Sequence, residues 1–166
     1  MSAPFGKSDR FIVHQQSPFN GGVHPSALGH DALTPVPDFY VRGHGPVPTL
    51  DAETLVLHVG GMVSQPLTLS LDDLRRQFPE RTLEITLQCA GNRRTELDTV
   101  RPMQKNALLW TTEAISNATW TGVELGDVLN AAGVQSDASH VELLGSDLGA
   151  APDGGAFGGS VPIEKG

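Results

Sequence analysis

Leu83-Glu84-Ile85-Thr86-Leu87-Gln88-Cys89-Ala90-Gly91-Asn92-Arg93-Arg94 decides how this chain is read. Leu83, Ile85 and Leu87 alternate with Glu84, Thr86 and Gln88, the period of a half-buried strand. Cys89 continues the apolar parity and is expected to point inward at the strand's end. Gly91 lets the backbone turn tightly or approach a ligand closely. Cys89 is the sole cysteine, so it has no intramolecular disulfide partner. Packing, nucleophilicity and metal ligation remain open as its use. The cations Arg93 and Arg94 would favour thiolate over thiol, the form that attacks electrophiles or binds a soft metal. A buried structural cysteine beside a solvated arginine pair is the plainer alternative.

Outward from that segment the chain alternates short elements. Phe39–Arg42 reads as a short strand entering an irregular Gly-Pro loop, Gly43 to Pro48. Residues 54–59 read as a strand stopped by Gly60-Gly61. Ser70 followed by Asp73, Leu74 and Phe78 reads as a capped short helix stopped by Pro79. Residues 95–118 lack a clean period and are expected to wander over the surface. Val123, Leu125, Val128, Leu129 and Ala132 form an amphipathic helix closed by Gly133. Residues 140–144 read as a strand, and the glycine-rich tail after Gly145 as loop with one more element opening at 160–163. Strands and short helices in irregular alternation predict an α+β fold of mixed β-sheets.

The chain has 166 residues, enough for one domain with a real core. Hydrophobic residues make up only 39%, against 19 glycines and 12 prolines, which points to a loop-rich fold. Residues 1–38, rich in Pro, Gly, His and Ser, read as an extended or partly disordered arm, with the main domain over 39–166. A formal net charge of −8 argues against nucleic acid or an anionic membrane as the main partner. It leaves room for a small anion, because a local arginine cluster outweighs the global balance inside a pocket. No stretch approaches the roughly 18 apolar residues of a membrane span. With one cysteine and no apolar leader, a cytoplasmic location is expected.

Thr86–Arg94 closely resembles the cysteine motif of the sulfite oxidase family. Other segments resemble that family in the same order: Ser17-Pro18-Phe19-Asn20 with Thr34-Pro35, Phe39 to Pro48, Ala114 to Gly122, and Gly154 to Pro162. The resemblance implies a molybdopterin-binding fold and a molybdenum–molybdopterin cofactor whose metal takes Cys89 as its protein ligand. A soft thiolate suits such a metal. It implies oxygen-atom transfer oxidising sulfite to sulfate, with electrons leaving to an external acceptor. Arg42 and Arg94 match pocket arginines of the family, and guanidinium forks suit oxyanions. Trp110 matches the pocket tryptophan, with a plain core aromatic as the alternative. His44 and Asp147 match cofactor contacts, Asp147 alternatively being an ordinary turn aspartate. Glu113 departs from the pattern, standing where the family usually has glycine, and is expected to crowd a tight turn.

The same resemblance points to haem-free members, and to the front half or two-thirds of a catalytic domain. A homodimer is then expected only of a full-length form. A relative acting on nitrate or a sulfoxide is the runner-up, and a non-catalytic truncated remnant is the third reading.

Overall fold

The structure is a computed structural model, described for residues 4–29, 31–103, 107–148 and 153–165, with the side chains of Leu148 and Lys165 excepted. Its chain divides into two compact units. The first joins Met1–Val47 to Glu84–Thr119, and the second joins Pro48–Leu83 to Trp120–Gly166.

In the first unit, β1 (Phe11–Gln15), β2 (Asn20–Val23) and β3 (Val41–Arg42) form an antiparallel sheet in that order. Phe11 faces Val23 across the β1–β2 pair, and Asn20 faces Arg42 across β2–β3. Every residue of β2 is buried. Its Gly22 is glycine by necessity: a Cβ there would stand 2.8 Å from Glu113 Cγ and 2.9 Å from Glu113 O. The segment read as an extended or partly disordered arm carries β1 and β2 of this sheet, and side chains tie it down. Lys7 Nζ donates to the carbonyls of Val36 and Phe39 at 2.9 and 2.8 Å. Ser8 and Arg10 both reach the buried carboxylate of Asp38. Thr34 N–H donates to Asn117 O at 2.7 Å, and Asn117 Nδ2 to Ala32 O at 2.8 Å. Such bonds are specified by polar residues far apart in sequence, so no local period announces them.

The second unit holds β4 (Val56–Val59) paired antiparallel with β5 (Leu67–Ser70), then α1 (Leu71–Gln77). Ser70 and Asp73 form a full capping box at the start of α1, as the sequence predicts. The amphipathic stretch is α3 (Leu125–Ala132), closed by Gly133 in the left-handed conformation at φ +68. Strand β8 (His140–Leu148) pairs antiparallel with β9 (Ala156–Pro162). An apolar hollow of about 770 Å³ opens in this unit, lined by Leu57, Val59, Leu125, Val128, Val141 and Leu143 among others.

β6 (Glu80–Gln88) and β7 (Ile115–Val123) are hydrogen-bonded neighbours, and each contributes residues to both units. β6 forms where the alternation places it, but its apolar face is not inward. Leu83, Ile85 and Leu87 are 59%, 45% and 47% exposed. Alternation reports which residues share a face, not whether anything covers it. The stretch expected to wander holds α2 (Arg94–Val100) and the start of β7. No residue of α2 is buried, so it has no apolar face for a helical period to reveal. Among the described residues no helix is long and apolar enough to cross a membrane. The architecture is α+β, small sheets with three short helices.

Candidate active site

Tyr40, Trp110 and Ala114 form a buried cluster in the first unit, and Cys89, Phe39 and Leu108 pack against it. Cys89 follows directly on β6 and is half-buried rather than fully enclosed. Its sulfur accepts the N–H of Gly91 at 3.4 Å. The proximity of Cys89 adds to burial in raising the Tyr40 phenol pKa, burial being the larger cause.

The turn that presents Cys89 is strapped to the segment 110–114 by backbone bonds. Cys89 N–H donates to Ala114 O at 3.0 Å, Arg93 N–H to Thr111 O at 2.6 Å, and Thr95 N–H to Trp110 O at 2.9 Å. Asn92 Oδ1 returns the contact by accepting Ala114 N–H at 3.1 Å. Within the turn, Asn92 N–H donates to Cys89 O and Arg94 N–H to Gly91 O. The thiol is thus fixed by secondary bonds on both sides, not by side-chain packing alone.

The two arginines after it diverge. Arg93 adopts φ +63 at the start of α2 and pairs with exposed Glu96, Nε to Oε1 at 2.9 Å and Nη2 to Oε2 at 2.5 Å. It is the solvated partner. Arg94 folds back over Gly91 and donates from Nη1 to Leu108 O at 3.1 Å. Gly91 has no positive φ, so the turn itself does not demand glycine there. What demands it is the guanidinium: a Cβ would stand 2.5 Å from Arg94 Nη2 and 2.8 Å from Cζ.

Arg42 ends β3, and its Nη1 donates to Asn20 Oδ1 at 3.2 Å and to Gly43 O. Its Nη2 lies 3.4 Å from His44 Nδ1. Asn20 organises this corner and was not singled out from sequence. It is fully buried, its Oδ1 accepts Gly43 N–H at 2.9 Å, and its Nδ2 donates to Gln15 Oε1, Pro18 O and Gly43 O, each at 3.1 Å. Its position in the quoted Ser17–Asn20 segment was the one available signal.

Trp110 is fully buried, and its Nε1 is the buried side-chain polar atom without a partner among the described residues. Its ring meets Tyr40 edge-on, centroids 6.4 Å apart, and His14 likewise at 5.1 Å. Glu113 does not crowd the turn with strain, since it is not among the residues with positive φ. Its side chain is taken inside instead, 1% exposed.

Arg42, His44, Cys89, Arg94 and Trp110 all belong to the first unit. Asp147 lies in β8 of the second unit, half-buried, with its Oδ1 against Gly145. The large apolar hollow contains none of these six residues in its lining.

Among the described residues no group of three or more His, Cys, Asp or Glu could hold a metal ion. A half-open soft thiol on a turn held by backbone bonds fits an organic cofactor that carries its own metal.

Residues 44–166 match the family described as the oxidoreductase molybdopterin binding domain. Mitochondrial sulfite oxidase of Rattus norvegicus is 42% identical over 176 residues, covering 99% of this chain and 32% of that protein. The Homo sapiens enzyme is 44% identical over 154 residues, covering 92% and 28%. NADH nitrate reductase of Solanum lycopersicum is 39% identical over 151 residues, covering 89% and 16%. The chain thus spans about a third or less of the length of the curated relatives it matches. The sulfane dehydrogenase SoxCD of Paracoccus pantotrophus shares the fold, with a TM-score of 0.75 at 24% identity over 99% of this chain and 38% of that one.

Proposed function

The chain belongs to the molybdopterin-binding oxidoreductase family, and from that membership we propose that the protein oxidises sulfite to sulfate by oxygen-atom transfer, with Cys89 as the metal's protein ligand. The observation that carries this reading is the presentation of one half-open thiol on a turn strapped to a buried Trp–Tyr cluster. When bound, molybdenum cycling between its VI and IV states supplies the two-electron chemistry.

The residues of this chain do the rest. Cys89 offers a soft sulfur and holds the cofactor at one point. Arg42 and Arg94 bind and orient the oxyanion, with positioning and charge stabilisation as the protein's share of catalysis. Each guanidinium is pre-set by backbone or buried acceptors, Arg42 by Asn20 Oδ1 and Gly43 O, Arg94 by Leu108 O. Neither uses more than part of its five-donor fork there, so donors remain for a tetrahedral or pyramidal anion. His44, beside the Arg42 fork, makes a cofactor contact in this reading. A reducing compartment such as the cytoplasm suits the lone free thiol.

The nitrate reductase match supports a second reading, in which the same site reduces nitrate. One assay separates them. Protein purified from a host that makes molybdopterin is mixed with sulfite and an artificial electron acceptor, or with nitrate and a reduced dye. Sulfite-dependent acceptor reduction without nitrate-dependent dye oxidation is expected. The reverse pattern, or neither activity in protein that contains the metal, overturns the sulfite reading.

A further inference from the structure

Glu113 is a buried carboxylate that the proposed chemistry does not use. Its Oε2 accepts the hydroxyl of Thr111, its Oε1 faces Thr111 N–H at 3.4 Å, and Oε1 lies 2.5 Å from His14 Nε2. Burial opposes its charge, yet the bonds from Thr111, its own backbone and His14 outweigh burial and hold its pKa below the ordinary carboxylate value. It is therefore a carboxylate kept ionised inside the first unit.

What those bonds connect is specific. Thr111 and Glu113 belong to the 110–114 strap that bonds to the Cys89 turn at three backbone positions. His14 belongs to β1, and its ring stands edge-on to Trp110 at 5.1 Å and 81°. The backbone and Cγ of Glu113 press on Gly22 of β2 at distances that no larger residue would allow. One carboxylate thus ties together the sheet, the strap and the ring that abuts Trp110.

We propose that Glu113, acting through His14 and Thr111, is a positioning residue that fixes the Trp110 indole and the strap presenting Cys89. This rests on the sulfite-oxidising reading of the Cys89 site. It assigns Glu113 no contact with substrate or cofactor. Arg42 and Arg94 are anchored by other groups, so the effect falls on the geometry around the thiolate and not on oxyanion capture.

The test compares Glu113→Ala, Glu113→Gln and His14→Ala in the protein purified from a molybdopterin-producing host, with rates expressed per bound molybdenum. Glu113→Ala is expected to lower kcat about tenfold, with the sulfite KM within about twofold of wild type, as expected when an orientation is lost and a binding contact is not. Glu113→Gln is expected to recover kcat to within about threefold, because its amide oxygen still accepts from His14 Nε2 and Thr111 N–H while its NH2 donates to the Thr111 hydroxyl. His14→Ala should resemble Glu113→Ala, and the double variant should be no worse than either, since both act through one contact. A second readout needs no cofactor: in a Trp120→Phe background, the near-ultraviolet circular dichroism of Trp110 should be lost in Glu113→Ala and kept in Glu113→Gln. Should Glu113→Ala not fold, His14→Ala carries the same comparison from a partly exposed position. Wild-type kcat per molybdenum with an unchanged Trp110 signal in Glu113→Ala or His14→Ala would overturn the proposal, as would additive losses in the double variant. If wild type fails to oxidise sulfite, the functional reading falls, and the Trp110 signal still decides whether Glu113 positions the indole.

Discussion

At Gly91 a methyl group would meet the guanidinium of Arg94 before it met any backbone atom. Alanine there displaces the end of a flexible side chain, so the fold tolerates it while the arginine leaves its place. Gly91→Ala is expected to keep its melting transition and to raise the sulfite KM in steady-state assays, in the same direction as Arg94→Gln. If Arg94 and Arg42 hold the oxyanion as proposed, Arg94→Gln and Arg42→Gln each remove a charge-assisted contact, about 1.5–3 kcal/mol, and should depress kcat/KM roughly ten- to a hundredfold. Unchanged kcat/KM in both variants would take the anion pocket away from these residues. Arg93→Gly releases a left-handed non-glycine φ and gives up an exposed ion pair, so its unfolding free energy should stay within about 1 kcal/mol of wild type. Cys89, Arg42, His44 and Arg94 stand in contiguous motifs, which is why the sequence singles them out. Asn20 meets Arg42 across 22 positions and His14 meets Glu113 across 99, and nothing local in the chain encodes either pairing.

Elements show the same division between local and distant causes. The capping box of α1 was readable because Ser70 and Asp73 satisfy each other's backbone three residues apart. The bonds from Ser70, with Arg76 behind them, lower the Asp73 pKa from 3.8 to about 2. A carboxylate depressed on folding contributes stability that is present above its unfolded value and lost as pH falls through its folded one. The acid limb of the unfolding curve between about pH 4 and pH 2 should therefore flatten in Asp73→Asn and in Ser70→Ala; an unaltered acid limb in both would remove the box from the account. Strand β9, of which the sequence showed only an element opening at 160–163, was half hidden for the opposite reason. Its glycines read as loop, but Gly158 is where β8 packs closest, a Cβ there standing 2.6 Å from Leu144 Cδ2 and 2.9 Å from Leu143 O. On β6 the alternation was legible and its burial was not, because cover comes from elsewhere in a fold. Leu83→Thr and Leu87→Thr replace exposed apolar side chains, so binding of a hydrophobic dye should fall. Stability should remain within about 0.5 kcal/mol, the usual range for surface changes. A larger loss of stability would mean that these leucines are covered after all.

For the whole molecule, composition and alternation sufficed for α+β, and ordered motifs along the chain sufficed for the family. The partition into units was not legible, since the first joins the N-terminal 47 residues to a segment beginning at Glu84. That junction depends on Thr34 meeting Asn117, Tyr40 N–H meeting Ser116 Oγ, and His14 meeting Glu113, contacts across 76 to 99 positions. It also explains how an N-terminal segment without any period is ordered: its polar side chains find fixed acceptors. The proposed reading makes Cys89 the protein ligand of the cofactor's metal. Serine offers a harder, weaker donor of similar volume, so Cys89→Ser should abolish sulfite oxidation and leave the circular dichroism unchanged. X-ray absorption at the molybdenum edge, on protein from a molybdopterin-producing host, reads the claim at the metal itself. About one molybdenum per chain is expected in wild type and one fewer sulfur neighbour in Cys89→Ser; the same sulfur count in both proteins, or no molybdenum in wild type, would contradict ligation by Cys89.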